Sequence, residues 1–256
     1  MKVLTFFIAV LLVVFVSTED QGAKDYLTQF GFHDKHHFSD ADLTESVRHF
    51  QITFGLNPSG KVDKDTQALM NTPRCGRPDN EYYGDLNYNA YYQPKWNKKE
   101  LTYYFDSYTN DIDRDDLIRE TAKAFKYWSD VSSLSFRRVD RNGDIVIAFG
   151  AKSHRDDRRG TCRTSFDGKG KVLAHAFYPK DGRLHFDDDE NFAITKWKFW
   201  ATSYQWVAVH EIGHILGLSH DTQDKSAIMY PYYRGLFSKL KLGSSDIRRI
   251  QNLYGR

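Results

Sequence analysis

The pattern of apolar positions along the chain changes several times, and each change predicts an element. Val3 to Val16 is an almost unbroken apolar run that follows Lys2 and stops at Ser17 and Thr18. About 14 residues is short of the ~20 that a membrane-spanning helix needs, and the run fits the core of a secretory signal peptide, removed near residue 18. From Tyr26 to Met70 the spacing turns helical: Leu43, Val47 and Phe50 recur on one face, and Asp65 to Met70 continue it after a turn region at Gly55 to Gly60. This predicts two or three short helices in a small bundle. Pro73 to Asp79 then excludes a helix by its prolines and glycine, and a polar, Tyr/Asn-rich stretch to Pro94 reads as a linker.

Beyond it, Leu101 to Phe105, Leu134 to Val139, Asp144 to Phe149, Leu173 to Tyr178 and Leu184 to Phe186 read as strands. Asp113 to Trp128 is an amphipathic helix with acidic residues in its first turn. Tyr204 to Leu216 predicts a second helix, and Ser245 to Leu253 a third, capped by Ser244 or Ser245. Strands and helices mix without strict alternation, so the expected class is α+β.

Composition adds little to this. The 256 residues are 40% hydrophobic and 27% charged, as in ordinary globular chains, which excludes collagenous, coiled-coil and wholly disordered readings. Net charge is +2 without a Lys/Arg-rich run, so no nucleic-acid or lipid surface is indicated. The split is more telling: residues 1–94 carry net −4 and residues 95–256 net +6, as for two pieces that attract each other. Two cysteines, Cys75 and Cys162, would allow one disulfide in an oxidising compartment.

The strongest chemical signal is His210-Glu211-Ile212-Gly213-His214-Ile215-Leu216-Gly217-Leu218-Ser219-His220. On a helix His210 and His214 are i and i+4, so both imidazoles reach one ion from one face. Gly217 can adopt positive φ and turn the chain so that His220 becomes a third ligand. Three histidines leave the fourth tetrahedral position of a zinc ion open, the mark of a catalytic site. Glu211, beside the ligands, can take a proton from the attacking water and pass it to the leaving amine. Chance assembly of the five fixed residues is on the order of 10⁻⁷ per window, so the segment is read as a site rather than as surface histidines.

With this motif in hand, the sequence resembles the metzincin metalloproteinases and, within them, the matrixins or matrix metalloproteinases, over nearly all of residues 40 to 255. Ala227-Ile228-Met229-Tyr230-Pro231 is similar to the methionine turn under the metal, and Pro73-Arg74-Cys75-Gly76-Arg77-Pro78-Asp79 to the matrixin cysteine switch. Pro94-Lys95-Trp96 before Leu101 is similar to the start of their catalytic domains. Arg48-His49-Phe50-Gln51 with Gly55-Leu56 resembles their propeptide.

The resemblance implies a twisted, mixed five-stranded sheet with three helices, preceded by a small helical propeptide bundle. It divides the chain into a signal peptide (1–18), a propeptide with switch and linker (19–94) and a zinc metallopeptidase domain (95–256). A Cys75 thiolate would fill the open zinc position and keep the enzyme latent, so that cysteine need not be in a disulfide. His154, Asp156, His175 and His185 would hold a second, structural zinc with no open position. Asp167, Gly168, Gly170, Val172, Asp187 and Glu190 would hold at least one calcium. A substrate peptide would pair with the strand carrying Leu173 and Ala174. Its S1′ pocket, which takes the side chain after the cleaved bond, would be walled by Pro231 and Tyr233, with Trp206 filling its base one turn before His210.

The implied enzyme is a secreted endopeptidase acting on extracellular or matrix proteins such as collagen. It would be monomeric, without a membrane anchor or nucleic-acid partner, activated by another protease or by self-cleavage, and open to proteinaceous inhibitors. The absence of a hemopexin-like segment after Tyr254 suggests the minimal, matrilysin-like form. The rival is a non-catalytic secreted zinc-binding protein that uses the bundle as a binding module, which would require a lost Glu211 or a damaged ligand.

Some positions depart from the matrixin pattern. The stretch from His154 to Asp167 is several residues longer and carries Cys162 with Arg155, Arg158, Arg159 and Arg163. Asp221 follows the third histidine where matrixins usually have Ser, and Ser245 stands where they have the first acid of an Asp-Asp pair.

Overall fold

The computed structural model describes residues 21–33, 40–80, 94–194, 200–235 and 239–256. The expected signal peptide and nearly all of the expected linker lie outside the described residues. No helix among the described residues is long and apolar enough to cross a membrane. The chain divides into two compact units, one of residues 1–70 with 78–89 and one of residues 71–77 with 90–256.

In the first unit, residues 21–29 form α1, followed by α2 (Asp40–Phe54) and α3 (Lys64–Met70). Of the apolar stripe read from the sequence, Val47 and Phe50 are buried and Leu43 is half-buried; Leu27, Phe30 and Phe54 are buried as well. Phe50 packs edge-on to Phe32 at 5.2 Å and against Phe54 at 5.0 Å, a favourable aromatic geometry. Gln51 is buried but satisfied. Its Nε2 donates to Lys61 O (2.9 Å) and Thr66 Oγ1 (2.8 Å), and its Oε1 accepts from Gly60 N (2.8 Å), which ties α2 to the start of α3.

The second unit is built on one six-stranded sheet. Its strands are β1 (Arg74–Cys75), β2 (Glu100–Phe105), β3 (Ser135–Arg138), β4 (Ile145–Gly150), β7 (Val172–Ala176) and β8 (Arg183–Asp187), in the order β1-β7-β8-β4-β2-β3. All neighbours are parallel except β7 and β8. The sheet thus has the five strands expected from the sequence plus a sixth, two residues long, that Arg74 and Cys75 add at the edge. Buried Ile145 to Phe149 make β4 an apolar central strand, as expected when both faces are covered.

Helix α4 (Arg114–Ser129) joins β2 to the parallel β3 and packs on the sheet through Phe125, stacked on Tyr103 at 4.4 Å. Asp113 caps it by accepting from Asp115 N at 2.9 Å. Helix α5 (Tyr204–Ile215) lies against α4: Trp128 Nε1 donates to Val209 O at 2.9 Å, and the Thr121 and Tyr204 hydroxyls share a hydrogen bond of 2.6 Å. Eleven of its twelve residues are buried, so the helix that carries His210 and His214 is a core helix.

The last helix, α6 (Ser244–Tyr254), corrects one expectation. Its N-cap is Gly243, not a serine, because the Asp246 carboxylate does the capping, accepting from Gly243 N at 2.7 Å. The same carboxylate accepts from Ile228 N (2.7 Å) and Met229 N (3.2 Å), so it also holds the methionine turn. Asp246 is fully buried. Asp246→Ala would strand three buried N–H groups, and we expect it to lower stability by about 3–5 kcal/mol in urea unfolding. A loss below about 1 kcal/mol would show the turn to be held by other contacts.

Candidate active site

Helix α5 presents His210 and His214 from one face, and the chain then turns at Gly217, whose φ is +100°. A Cβ at that position would lie 2.0 Å from Pro94 O, so both the conformation and the space require glycine. The turn brings His220 Nε2 to 3.3 Å from His210 Nε2. Beneath the helix, Met229 packs so closely that a Cβ on Gly213 would meet its Sδ at 2.3 Å. The methionine turn thus sets the height of the helix under the three histidines.

The outer nitrogens fix the tautomers. His210 Nδ1 donates to Ile228 O and His214 Nδ1 to Leu218 O, each at 2.7 Å, which leaves both Nε2 lone pairs aimed at a common point. Burial, and after it the charges of the neighbouring histidines and of Arg77, hold His214 far below the usual imidazole range; His220 is lowered in the same way. Neutral imidazole is the metal-binding form. Cys75 Sγ completes the cluster, 3.5 Å from His214 Nε2, and the four ligand atoms lie within 4.8 Å of one another. Three imidazoles and a thiol fit zinc in both chemistry and number.

Glu211 is fully buried, and among the described residues neither of its carboxylate oxygens has a protein donor in hydrogen-bonding geometry. Burial pushes its carboxyl up to about 8, although the neighbouring Cys75 thiol and the charge of Arg77 pull the other way. The Cys75 thiol is itself raised, by burial first and then by Glu211. A divalent cation held by the histidines would reverse the preference of both groups and favour the thiolate and the carboxylate.

The segment around Cys75 lies extended across this cluster, bonded through its main chain on both sides. Arg74 N donates to Lys171 O and Gly76 N to Ala174 O, each at 2.8 Å, on the β7 side. On the other side Cys75 N donates to Pro231 O at 3.0 Å, and Pro73 O accepts from Tyr233 N at 2.8 Å. The groove between Leu173-Ala174 and Pro231-Tyr233 therefore holds a peptide strand with its middle residue over the histidines. Trp206 stands beside it, 3% exposed, stacked on His210 at 5.6 Å and edge-on to Tyr233 at 5.1 Å.

The second histidine set also gathers, with a different fourth member. His154, His175, His185 and Cys162 offer ligand atoms within 4.8 Å of one another, all buried. Asp156, expected in that set, instead lies behind it, with Oδ2 accepting from His185 Nε2 at 3.0 Å. The inserted stretch folds as a hairpin, β5 (Arg155–Asp156) against β6 (Gly160–Thr161), and delivers Cys162, whose N–H donates to His154 O at 2.8 Å. Sequence reasoning left Cys162 without a role. The available signal was a lone cysteine eight positions after a ligand-type histidine, inside the stretch read as longer than its matrixin counterpart. Burial alone would raise the Cys162 thiol, but the side chains of His154, His175 and His185 beside it outweigh this and bring it down to about 3.

The expected calcium loop bends as foreseen at Gly168 and Gly170, with φ of +90° and +103°. Its carboxylates are partly engaged: Asp167 Oδ1 accepts from Val172 N at 3.1 Å, and Glu190 Oε1 from Gly170 N. Among the described residues, Asp167, Asp187 and Glu190 form no cluster as tight as the two histidine sets. The Lys152 ammonium donates to Asp167 O at 2.7 Å. Asp187 is fully buried, with Oδ2 lacking a hydrogen-bond partner among the described residues. Burial and then neighbouring acids raise its carboxyl and that of Glu190. A cation there would relieve that cost.

Two departures from the matrixin pattern meet in space. The Ser245 hydroxyl donates to Asp221 Oδ2, and Arg249 Nη1 lies 3.9 Å from the same oxygen.

Comparison with known proteins agrees with this geometry. A family described as Matrixin matches residues 95–255, and one described as a putative peptidoglycan binding domain matches residues 20–70. The chain is 40% identical over 238 residues to the hatching enzyme of Paracentrotus lividus, covering 91% of this chain and 38% of that protein. It is 40% identical over 246 residues to matrix metalloproteinase-27 of Tupaia belangeri, covering 92% and 45%. With the macrophage metalloelastase of Rattus norvegicus it shares 42% identity over 218 residues, 83% of this chain and 44% of the relative. The chain thus spans about two-fifths of the length of the curated relatives it matches. The family match covers five of the six strands of the sheet, all but β1, together with His210, His214, His220 and the methionine turn, and the chain belongs to the matrixin family.

Proposed function

We propose that this chain is a secreted zinc endopeptidase made as a cysteine-switch zymogen, with a signal peptide (1–18), a propeptide (19–94) and a catalytic domain (95–256). The observation that carries this is the extended 73–76 segment, bonded through its main chain on both sides of a groove and aimed at three histidines. A groove that holds one extended peptide through backbone groups can hold another, which is how a substrate strand is recognised with little dependence on its side chains.

A zinc ion bound by His210, His214 and His220 supplies a Lewis acid for the scissile carbonyl and lowers the pKa of a water. The carbonyls of Lys171, Ala174 and Pro231 and the N–H of Tyr233 hold the substrate backbone in place of the switch segment. Glu211 takes the proton of the attacking water and gives it to the departing amine. Its oxygens are available for this because, among the described residues, neither has a protein donor in hydrogen-bonding geometry. An intact Glu211 among intact ligands also argues against a non-catalytic binding protein.

The second cluster is a structural zinc site, and the Asp167, Gly168, Gly170, Val172, Asp187 and Glu190 loop a calcium site. Substrates are extracellular or matrix proteins, the activator is another protease or the enzyme itself, and proteinaceous inhibitors would enter the same groove. The exposed large hydrophobic residues among those described are Ile52 and Trp200, one in each unit, which supports a monomer. The test is to incubate the purified chain with an organomercurial and a quenched peptide. Cleavage should appear with the mercurial and vanish with a zinc chelator; a fully zinc-loaded protein that cleaves nothing after the switch is opened would refute the assignment.

Specificity gives a further expectation. The Trp206 indole, packed between His210 and Tyr233, occupies the base of the S1′ pocket, and displacing it costs packing. Substrates with Leu, Ile or smaller groups after the scissile bond should be preferred over long aryl groups. Trp206→Leu should improve binding of long biphenyl-type inhibitors relative to short ones by about 1–3 kcal/mol. Equal long-to-short ratios of inhibition constants in both proteins would make Trp206 a core residue only.

A further inference from the structure

The second cluster departs from the expected ligand set in a way that assigns new roles to two residues. His154 Nε2 lies 3.0 Å and His175 Nε2 3.2 Å from His185 Nδ1, while Cys162 Sγ lies 3.5 Å from His175 Nε2. Around a tetrahedral zinc with Zn–N of about 2.05 Å and Zn–S of about 2.3 Å, nitrogens are about 3.3 Å apart and nitrogen and sulfur about 3.6 Å. The three separations fall within a few tenths of an ångström of these values.

Asp156 is committed elsewhere. Its Oδ1 accepts from Arg158 N (2.8 Å) and Arg159 N (2.9 Å), which close the hairpin turn. Its Oδ2 takes His185 Nε2 at 3.0 Å and has Arg183 Nη1 at 3.5 Å. A carboxylate on the outer nitrogen of a histidine fixes the tautomer that leaves the inner nitrogen free to bind metal. His154 is set in the same sense, with Nδ1 donating to Lys152 O at 3.0 Å. Phe166 stacks on both His154 (4.4 Å) and His175 (4.7 Å), which shields the cluster from water.

Resting on the reading of this cluster as a structural zinc site, we propose that its fourth ligand is the Cys162 thiolate, delivered by the inserted hairpin, and that Asp156 is a positioning residue that orients His185 from behind. The insertion between His154 and Asp167 is then part of the site: it replaces a hard oxygen ligand by a soft sulfur, which suits zinc, and moves the displaced carboxylate to the outer nitrogen. No free thiol remains in the zymogen, because Cys75 and Cys162 are the only cysteines of the chain and each has a zinc to bind.

The full-length Cys75→Ser/Glu211→Gln double variant tests this, because Cys162 is its only thiol and it cannot digest itself. Loaded with zinc and studied by X-ray absorption, it should hold two zinc ions per chain and show a zinc–sulfur distance of about 2.3 Å at about one sulfur per two zincs. With cobalt replacing zinc, a thiolate-to-metal charge-transfer band should appear, survive Asp156→Asn and disappear with Cys162→Ser. Asp156→Asn should instead loosen the second metal, raising its loss to chelator by about 10-fold or more. Two zincs per chain without the sulfur path would overturn the thiolate ligand alone. One zinc per chain without the sulfur path would overturn the structural zinc reading and the ligand with it, whereas one zinc with a full sulfur path would place it at Cys162. The absorption measurement needs neither site variant, so a failure of Cys162→Ser to fold does not affect it.

Discussion

Glu211→Gln should lower kcat/KM for a quenched peptide by about 10²- to 10⁴-fold while zinc content stays at that of the wild type. The substitution keeps size and shape, so the fully buried position on α5 remains filled and the flanking ligands His210 and His214 keep their places. What changes is proton acceptance: an amide cannot take the proton of the attacking water. Among the described residues the cluster holds no other carboxylate, and its three imidazoles, whose Nε2 atoms converge, would be taken up as metal ligands. Zinc analysis and kinetics on the opened enzyme decide the matter. Substantial activity would remove Glu211 from its role, and loss of zinc would show instead that the site had been disturbed.

Cys75→Ser should release latency in the intact chain, with peptide cleavage at least about tenfold above wild type before any organomercurial is added. Two separate sets of contacts hold the segment around Cys75. One is the main-chain clamp of Arg74, Cys75 and Gly76 between β7 and Pro231-Tyr233, which does not depend on the side chain at 75. The other is the sulfur itself, 3.5 Å from His214 Nε2 and steadied by the N–H of Arg77 at 3.4 Å. A serine hydroxyl keeps the first set and loses the second, since it is a far weaker zinc ligand than a thiolate. The segment should then detach often enough for substrate to enter. Latency equal to that of wild type would mean that the backbone clamp alone keeps the groove closed.

Local patterns were legible in the sequence because their physics is local. The i and i+4 spacing of His210 and His214 holds for any helix there, and the positive φ of the turn toward His220 by itself favours a glycine, before the close approach of Pro94 is considered. The apolar run Ile145 to Phe149 and the amphipathic stretch of α4 defined a strand and a helix without knowledge of their neighbours. Only the tertiary structure decided what needs a distant partner. Arg74–Cys75 counts as a strand solely because β7 offers it an edge, and two residues carry no periodicity to read. The cap of α6 fell to Asp246 because that carboxylate also serves the methionine turn, 17 and 18 residues earlier in the chain. Asp221 and Ser245, separately odd, meet only because α6 returns to the loop after His220. The choice between Asp156 and Cys162 shows the limit most clearly: both are ligand-type residues within reach of His154. The β5–β6 hairpin settles which one faces the cluster, because a strand's alternation and a turn's length fix where each side chain points, and residue type alone does not.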